Sequence, residues 1–367
     1  MNQSKARPTA APLTHPSSFR LHPSHYMADA IHNAISILLK ESGLSENEMH
    51  AAVLQVMDGN ASPVGLGMLL TALRLKGETV DEIVGAARAL RERAIRIPTQ
   101  RPGLLDTCGT GGDELSTFNI STATALVTAA CGVPVAKHSN RGFSSRSGSA
   151  DVLEALGVRI DLTPAEVARA IDEIGIGFCF APVAHGAMKY AAPVRKQLGF
   201  RTVFNMLGPL TNPAGAEFQL VGAGRIAIAE KLAEALVRLG TARALVVCGN
   251  DELDEVSLWG TTKMIRVEHG EIERFEWRPA DLGLEECHVA DLRVTSIAAS
   301  AQTIRDVLSG VKGPARNIVL ANAAAALIVA QNQRDPRAAV AAAAAAIDSG
   351  QAQMTLQRLT HFAARGD

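Results

Sequence analysis

The chain has 367 residues, 47% hydrophobic and 20% charged, with a formal net charge of −1. It therefore reads as a globular protein with ample core, without the basic excess that nucleic-acid binding leaves. Cys108, Cys131, Cys179, Cys248 and Cys287 stand singly, without metal-ligand spacing, which fits free thiols in a reducing, cytoplasmic compartment better than a disulfide framework.

Residues 1–26 are rich in Pro, Ser, Thr and His, carry no acidic residue and lack the apolar stretch of a secretory signal. An unstructured tail is expected, with Met27 as an alternative start; an organelle transit segment is the competing reading. No apolar run is long enough to span a bilayer, the block Ala338–Ile347 being too short and too small in side chain.

From Ala28 to Ile97 the signals are helical. Ile31, Ile35, Leu38 and Leu39 follow helical spacing, Ser45-x-x-Glu48 and Thr79-x-x-Glu82 are capping boxes, and Ser62-Pro63 is an N-cap followed by proline at the first helical position. Nothing there looks chemical, so residues 27–100 are expected to form a small helical domain, with 98–103 as the linker out of it.

The stretch Asp106–Asp151 carries the chemistry. After a strand-like start, Gly109-Thr110-Gly111-Gly112-Asp113 forms a glycine-rich turn, which lets backbone N–H groups converge on a ligand. The run Ser116–Thr122 then leads into an apolar helix whose positive end favours anions. A second strand ends in Lys137-His138-Ser139-Asn140-Arg141, and from Lys137 to Arg146 there are three fixed cations and no acid. This composition suits a phosphate-rich ligand. Each loop has a plainer alternative, a tight strand-to-helix turn for the first and a solvated basic loop for the second. Both follow strands, however, and could face one crevice of an open sheet.

Further on, Thr163-Pro164-Ala165-Glu166 caps a helix and Gly177–Ala181 reads as a buried strand. The runs at 221–223, 244–248 and 263–267 read as further strands, with helices at 228–239, 317–330 and 336–347. Strands alternating with helices indicate an α/β domain with a mostly parallel sheet. Asp251-Glu252-Leu253-Asp254-Glu255 follows one strand. It is either an acidic surface turn or a set of hard oxygen ligands that would hold Mg²⁺ together with phosphate. Arg195 could grip a carboxylate with two hydrogen bonds, or lie on a helix surface. The proline-rich run Phe204–Pro213 could wall a pocket.

Together, GTGGD, NIST, the KH-NR loop with its serines, SGSADVLEALGV, VRK-LG-RT-FN-LGPLTNP and LDE-S, in that order, resemble the anthranilate phosphoribosyltransferase family. The likeness runs from about Ala28 to the C-terminal helices. It implies a nucleoside phosphorylase/phosphoribosyltransferase-like fold: a small N-terminal helical domain, completed by about 186–212, joined to a larger α/β domain made of 101–185 and 213–367. It also implies a homodimer formed through the helical part, and neither nucleic-acid nor membrane partners.

Carried over by residue, the resemblance implies that Gly109, Gly112, Asp113, Thr117, Asn119, Ile120, Ser121 and Thr122 contact phosphoribosyl pyrophosphate. Lys137, His138, Ser139, Asn140, Arg141, Gly142, Phe143, Ser144, Ser145 and Ser149 would continue that site. Gly109 and Asn140 would reach towards anthranilate, Arg195 would take its carboxylate, and Ser121, Asp254 and Glu255 would ligate Mg²⁺, with two ions per subunit. The attacking amine is nearly neutral, so the main need is to stabilise departing charge, a catalytic role for Lys137 and Arg141. His138 would position rather than deprotonate. Ser139, Gly142-Phe143, Gly186 and Cys248 depart from the family pattern without removing a charge or a metal ligand. A pyrimidine-nucleoside phosphorylase and a non-catalytic nucleic-acid-binding relative are the alternatives; the KHSNR loop and Asp254-Glu255 weigh against both.

Overall fold

In the computed structural model the described residues are 29–142, 148–331 and 333–364. The expected N-terminal tail and Phe143, Ser144 and Ser145 lie outside them. Four helices come first, α1 (Ala30–Leu38), α2 (Glu46–Met57), α3 (Pro63–Lys76) and α4 (Val80–Arg93). Their starts are dictated locally. Ser45 and Thr79 form reciprocal capping boxes with Glu48 and Glu82, and the Ser62 hydroxyl accepts from Gly65 N–H ahead of Pro63.

The chain then enters a seven-stranded sheet. The first part is β1 (Leu105–Asp106), α5 (Ile120–Ala130), β2 (Val135–Ser139), α6 (Ser149–Leu156), α7 (Pro164–Ile174) and β3 (Ile176–Phe180). A short α8 (Ala181–Ala184) and α9 (Ala192–Leu198) lead through 3-10 turns at 186–190, 203–205 and 208–210 to β4 (Phe218–Gly222), α10 (Ile226–Arg238) and β5 (Arg243–Gly249). The remainder is β6 (Thr262–Glu268), β7 (Glu271–Trp277), α11 (Pro279–Leu282), α12 (Ile297–Leu308), α13 (Pro314–Gln331), α14 (Pro336–Asp348) and α15 (Gln351–Ala364).

The strand order is β3-β2-β1-β4-β5-β6-β7, parallel from β3 to β5 and antiparallel at β5–β6 and β6–β7. The antiparallel edge was not expected from the sequence. The β6–β7 hairpin is closed by the two-residue turn His269-Gly270, both at positive φ (51° and 83°), a conformation that matches the twist of a tight hairpin, while residues 250–261 reverse the chain between β5 and β6. The edge strand β7 is dominated by Glu271, Glu273, Arg274 and Glu276, charges that discourage edge-to-edge pairing.

Side chains alternate between the faces of the sheet. Leu105, Val135, Leu220, Leu245 and Val247 point into a core shared with α5, α6 and α12–α15. Val221, Ala244, Val246, Cys248 and Ile265 point the other way, into a core formed with α10 and with α1–α4. Ala191, Val194, Val203, Phe204, Met206, Leu207 and Leu210 join that second core, so the segment from α9 to the 208–210 turn packs among the first four helices. Arg238 of α10 reinforces the contact by pairing with Asp81 and Glu46, and Lys231 Nζ donates to the Glu78 carbonyl (2.7 Å).

Candidate active site

A cavity of about 450 Å³ opens at the carboxyl ends of β1, β2 and β5 and is closed on the far side by the segment 195–208. The glycine-rich loop after β1 forms its floor. Gly111 and Gly112 adopt positive φ (64° and 76°), as do Glu114 and Ser116 (60° and 59°). Two non-glycine residues in the left-handed region within three positions mark a loop held in shape by its surroundings. The holds are visible: Thr110 N–H donates to Gly222 O (2.8 Å) and Gly111 N–H to Asp254 Oδ2 (2.7 Å). Further along, Phe118 N–H donates to Leu292 O, Asn119 N–H to Ser300 Oγ, and Arg293 Nε to Leu115 O.

Helix α5 points its N-terminus at the cavity. Asn119 caps it through Oδ1 to Thr122 N–H (3.1 Å), and Ile120 and Ser121 border the cavity at its positive end. Thr122 does not border it. Its side chain is fully buried, with the hydroxyl turned into the helix packing. The expected contact at Thr122 is therefore confined to an N–H already given to Asn119.

At the end of β2, Lys137 is buried and its Nζ donates to the Thr107 carbonyl (2.7 Å). His138 Nδ1 lies 2.8 Å from the Gly208 carbonyl, which makes it the protonated nitrogen and leaves Nε2, buried and unbonded, as an acceptor. Burial pushes the His138 imidazole down to about 4. The His185 ring stands 5.1 Å away, its Nε2 bonded to Thr211 O, and burial beside His138 lowers it to about 3. Both are neutral at physiological pH. Ser139 turns its hydroxyl to the Cys179 carbonyl, and Ser149 Oγ accepts from Asn140 N–H. Arg141 borders the cavity, but its guanidinium is engaged by Asp151 (2.9 Å) and Glu154 (2.7 and 3.0 Å) of α6. The catalytic part expected of Arg141 therefore competes with these two carboxylates for its guanidinium.

Three carboxylates share the opposite wall. Asp113 is raised to about 7, by burial first and by the negative charge of Asp254 second. Glu255 is raised well above the usual range by burial and by Asp254, with Lys137 and the Ser121 N–H partly offsetting this. Among the described residues no three His, Cys, Asp or Glu side chains converge tightly enough to hold a metal ion by themselves. The donor set is all oxygen and mutually repelling. It suits a hard divalent cation that completes its shell with ligand oxygens and water.

Arg195 enters from α9 across the cavity. Its guanidinium lies 5.4 Å from the Phe204 ring centroid, and burial together with nearby Arg201 lowers it to about 10. The structure thus brings Gly109, Gly112, Asp113, Thr117, Gly142 and Ser149 to one cavity with Arg195, Asp254 and Glu255. Phe204, Asn205 and Gly208, from the run expected to wall a pocket, line it too, and the structure adds Arg201 and Ser296, for which no site role was expected from the sequence. Behind the cavity Asp106, fully buried and raised to about 6 by that burial, accepts from His138 N–H and from Asn212 Nδ2 (2.7 Å). It ties β1 to β2 and to the 208–213 wall.

A family model described as the glycosyl transferase family a/b domain matches residues 101–353, and one for that family's helical bundle domain matches 32–94. The anthranilate phosphoribosyltransferase of Moorella thermoacetica is 51% identical over 325 residues, covering 89% of this chain and 96% of the relative; that of Rhodospirillum rubrum is 52% identical over 333 residues, covering 90% and 95%. The crystal structure of the Thermus thermophilus enzyme superposes with a TM-score of 0.85 at 43% identity, covering 92% of this chain and 99% of that one. The Saccharomyces cerevisiae enzyme, solved in complex with PRPP and Mg, gives 0.85 at 27% identity, covering 93% and 99%. The chain belongs to the anthranilate phosphoribosyltransferase family.

Proposed function

We propose that this chain transfers the phosphoribosyl group of phosphoribosyl pyrophosphate to the amine of anthranilate, the phosphoribosylation step of tryptophan biosynthesis. The amine nitrogen forms a bond to the sugar C1 as the C1–oxygen bond to pyrophosphate breaks, and the amine proton passes to solvent. One observation carries the reading. A glycine-rich loop, a helix N-terminus and the Asp254–Glu255 carboxylates share one cavity, with Arg195 on its far wall.

Each group has a task its chemistry supports. The N–H groups of the 109–113 loop and of the α5 N-terminus hold phosphate oxygens. Lys137 adds a fixed positive charge where the leaving group gains negative charge. Asp254 and Glu255, with Ser121, would hold Mg²⁺, which when bound neutralises diphosphate charge; two ions per subunit is the occupancy we propose. Arg195, braced on Phe204, takes the anthranilate carboxylate. His138, anchored through Nδ1 to the Gly208 carbonyl, is suited to a positioning role in the wall. Neutral at pH 7 and lowered to about 4, it is too weak a base to be needed for deprotonation before attack.

Two further parts of the reading concern assembly and location. Val64, Met68 and Leu75 are exposed along one face of α3, which supports a homodimer through the helical bundle. The five free cysteines support a cytoplasmic location. No helix among the described residues is long and apolar enough to cross a membrane. The test is loss of anthranilate fluorescence with phosphoribosyl pyrophosphate and Mg²⁺, run beside phosphorolysis of thymidine and uridine. No fluorescence loss, or phosphorolysis in its place, overturns the reading.

A further inference from the structure

The glycine-rich loop is gripped from two sides of the molecule. Gly222 O and Asp254 Oδ2 hold it from the sheet. The other grip comes from Arg201, whose Nη2 donates to the Thr110 carbonyl (3.2 Å). Arg201 lies between α9 and the 203–205 turn, in a segment whose Val194, Val203 and Phe204 are packed in the core of the first four helices. The same segment presents Arg195 to the cavity, and the two guanidinium groups are close enough for Arg201 to lower Arg195. Around Arg201 stand Asp254, Glu114 and Asp113 as attracting charges and Arg74 of α3 as a repelling one. One half-buried cation therefore touches the loop that faces the donor, stands beside the arginine that faces the acceptor, and is rooted in the helical bundle.

We infer that Arg201 is a positioning residue that couples the two substrate subsites, so that filling either one tightens the other. The inference rests on the proposed function for the identity of the two substrates. A carboxylate arriving at Arg195 cancels the like charge beside Arg201 and fixes the 195–205 segment. Arg201 then holds the Thr110 carbonyl in place, and the neighbouring N–H groups stay aimed at the phosphates. A loop ordered in advance loses less conformational entropy when the donor binds, so donor affinity rises. By thermodynamic linkage the donor raises acceptor affinity by the same factor.

The test measures the dissociation constant of phosphoribosyl pyrophosphate with Mg²⁺ by calorimetry, with and without benzoate. Benzoate carries the acceptor's carboxylate but no amine, so no turnover interferes. In the wild type, saturating benzoate should tighten donor binding by roughly fivefold or more. R201A should lose that factor while benzoate still binds, and R201K should keep only part of it, because an ammonium restores charge but not the guanidinium's reach. R195A, which should weaken benzoate binding by about tenfold or more, is the control for the acceptor subsite. In turnover, R201A should raise the donor KM more than it lowers kcat. Should R201A not fold, R201K and the wild type carry the comparison.

Equal donor affinity with and without benzoate in the wild type overturns the inference, as does an R201A or R201K enzyme with the full wild-type factor. A wild type that binds no phosphoribosyl pyrophosphate overturns the proposed function instead. A wild type that turns over normally without coupling overturns only the role of Arg201.

Discussion

A Cβ on Gly222 would stand 1.6 Å from the carbonyl oxygen of Asp254, so the end of β4 and the acidic loop after β5 are packed backbone against backbone. Gly222 O also receives Thr110 N–H, and the Asp254 side chain receives Gly111 N–H. The contact therefore sets how far the two carboxylates of 254–255 stand from the glycine-rich loop. Gly222→Ala should displace that loop, cost about 1–3 kcal/mol of stability through overpacking, and raise the Mg²⁺ concentration needed for half-maximal activity. Thermal melts and a Mg²⁺ titration measure both; a G222A enzyme with unchanged Mg²⁺ dependence would show that the contact only fills space.

Replacing Asp254 by Asn and Glu255 by Gln should abolish Mg²⁺-dependent turnover, with a loss of roughly a hundredfold or more. The same double variant should melt higher than the wild type without metal. Burial and mutual repulsion raise Asp113 and Glu255, so deleting charge relieves a cost that the ion-free protein bears. Lower stability of the double variant would contradict this account of the acidic wall.

Arg195→Ala should raise the anthranilate KM by about tenfold to a hundredfold, the range for one charged hydrogen-bonding partner, and lower kcat less. Phosphoribosyl pyrophosphate KM should change less than the anthranilate value. Steady-state kinetics with each substrate varied decide the matter, and an unchanged anthranilate KM rules the role out.

The histidine pair gives a pH dependence of stability with a definite sign. His138 and His185 are lowered to about 4 and about 3 from an ordinary 6.5. Below pH 6.5 the unfolded chain binds protons that the folded chain refuses. Their contribution to stability is thus whole above that pH and is lost as pH falls towards 4 and 3. Asp106, raised to about 6 from 3.8, runs the other way: its buried charge costs stability above pH 6, and protonation relieves that cost as pH falls. Asp113, raised to about 7, and Glu255, raised well above its usual range, run with Asp106, so between pH 6.5 and 5 the histidines' share shows in a variant compared with the wild type rather than in the wild-type slope. His185→Gln removes one group that loses stability on acidification, so relative to the wild type it should gain about 1–2 kcal/mol over that interval. Urea unfolding at the two pH values reads the difference directly; parallel profiles would refute it.

Much of the site was legible because its residues declare themselves locally. Glycines at 109, 111 and 112 after a strand, and a cation cluster after the next strand, need only the sheet to bring them together. Arg201 was not legible as a site residue, since the groups that give it meaning, Thr110, Asp113 and Asp254, come from loops far away in sequence. Arg141 shows the reverse: its position was readable, but its pairing with Asp151 and Glu154 depends on how α6 is set against β2. Thr122 lies within a run read as one binding stretch, yet helical rotation turns its side chain away from the cavity while Ser121 stays beside it. In the fold, the alternation of strand and helix gave the parallel core of the sheet. Strand β7 was missed because Ile272, Phe275 and Trp277 break strict alternation on an exposed edge. Helix α15 was missed because its polar composition leaves only a thin apolar stripe.

The second core has a consequence for how such a protein can be rearranged by recombination. Because Val194, Phe204 and Leu210 share it with Leu70, Ile83 and Val246, the opening ninety-odd residues are not a cassette. A chimaera that imports only that stretch from a distant homologue would meet a foreign seam in the middle of the chain. Successful swaps should carry both pieces, the opening helices and the later insert from α8 to the 208–210 turn, from the same parent.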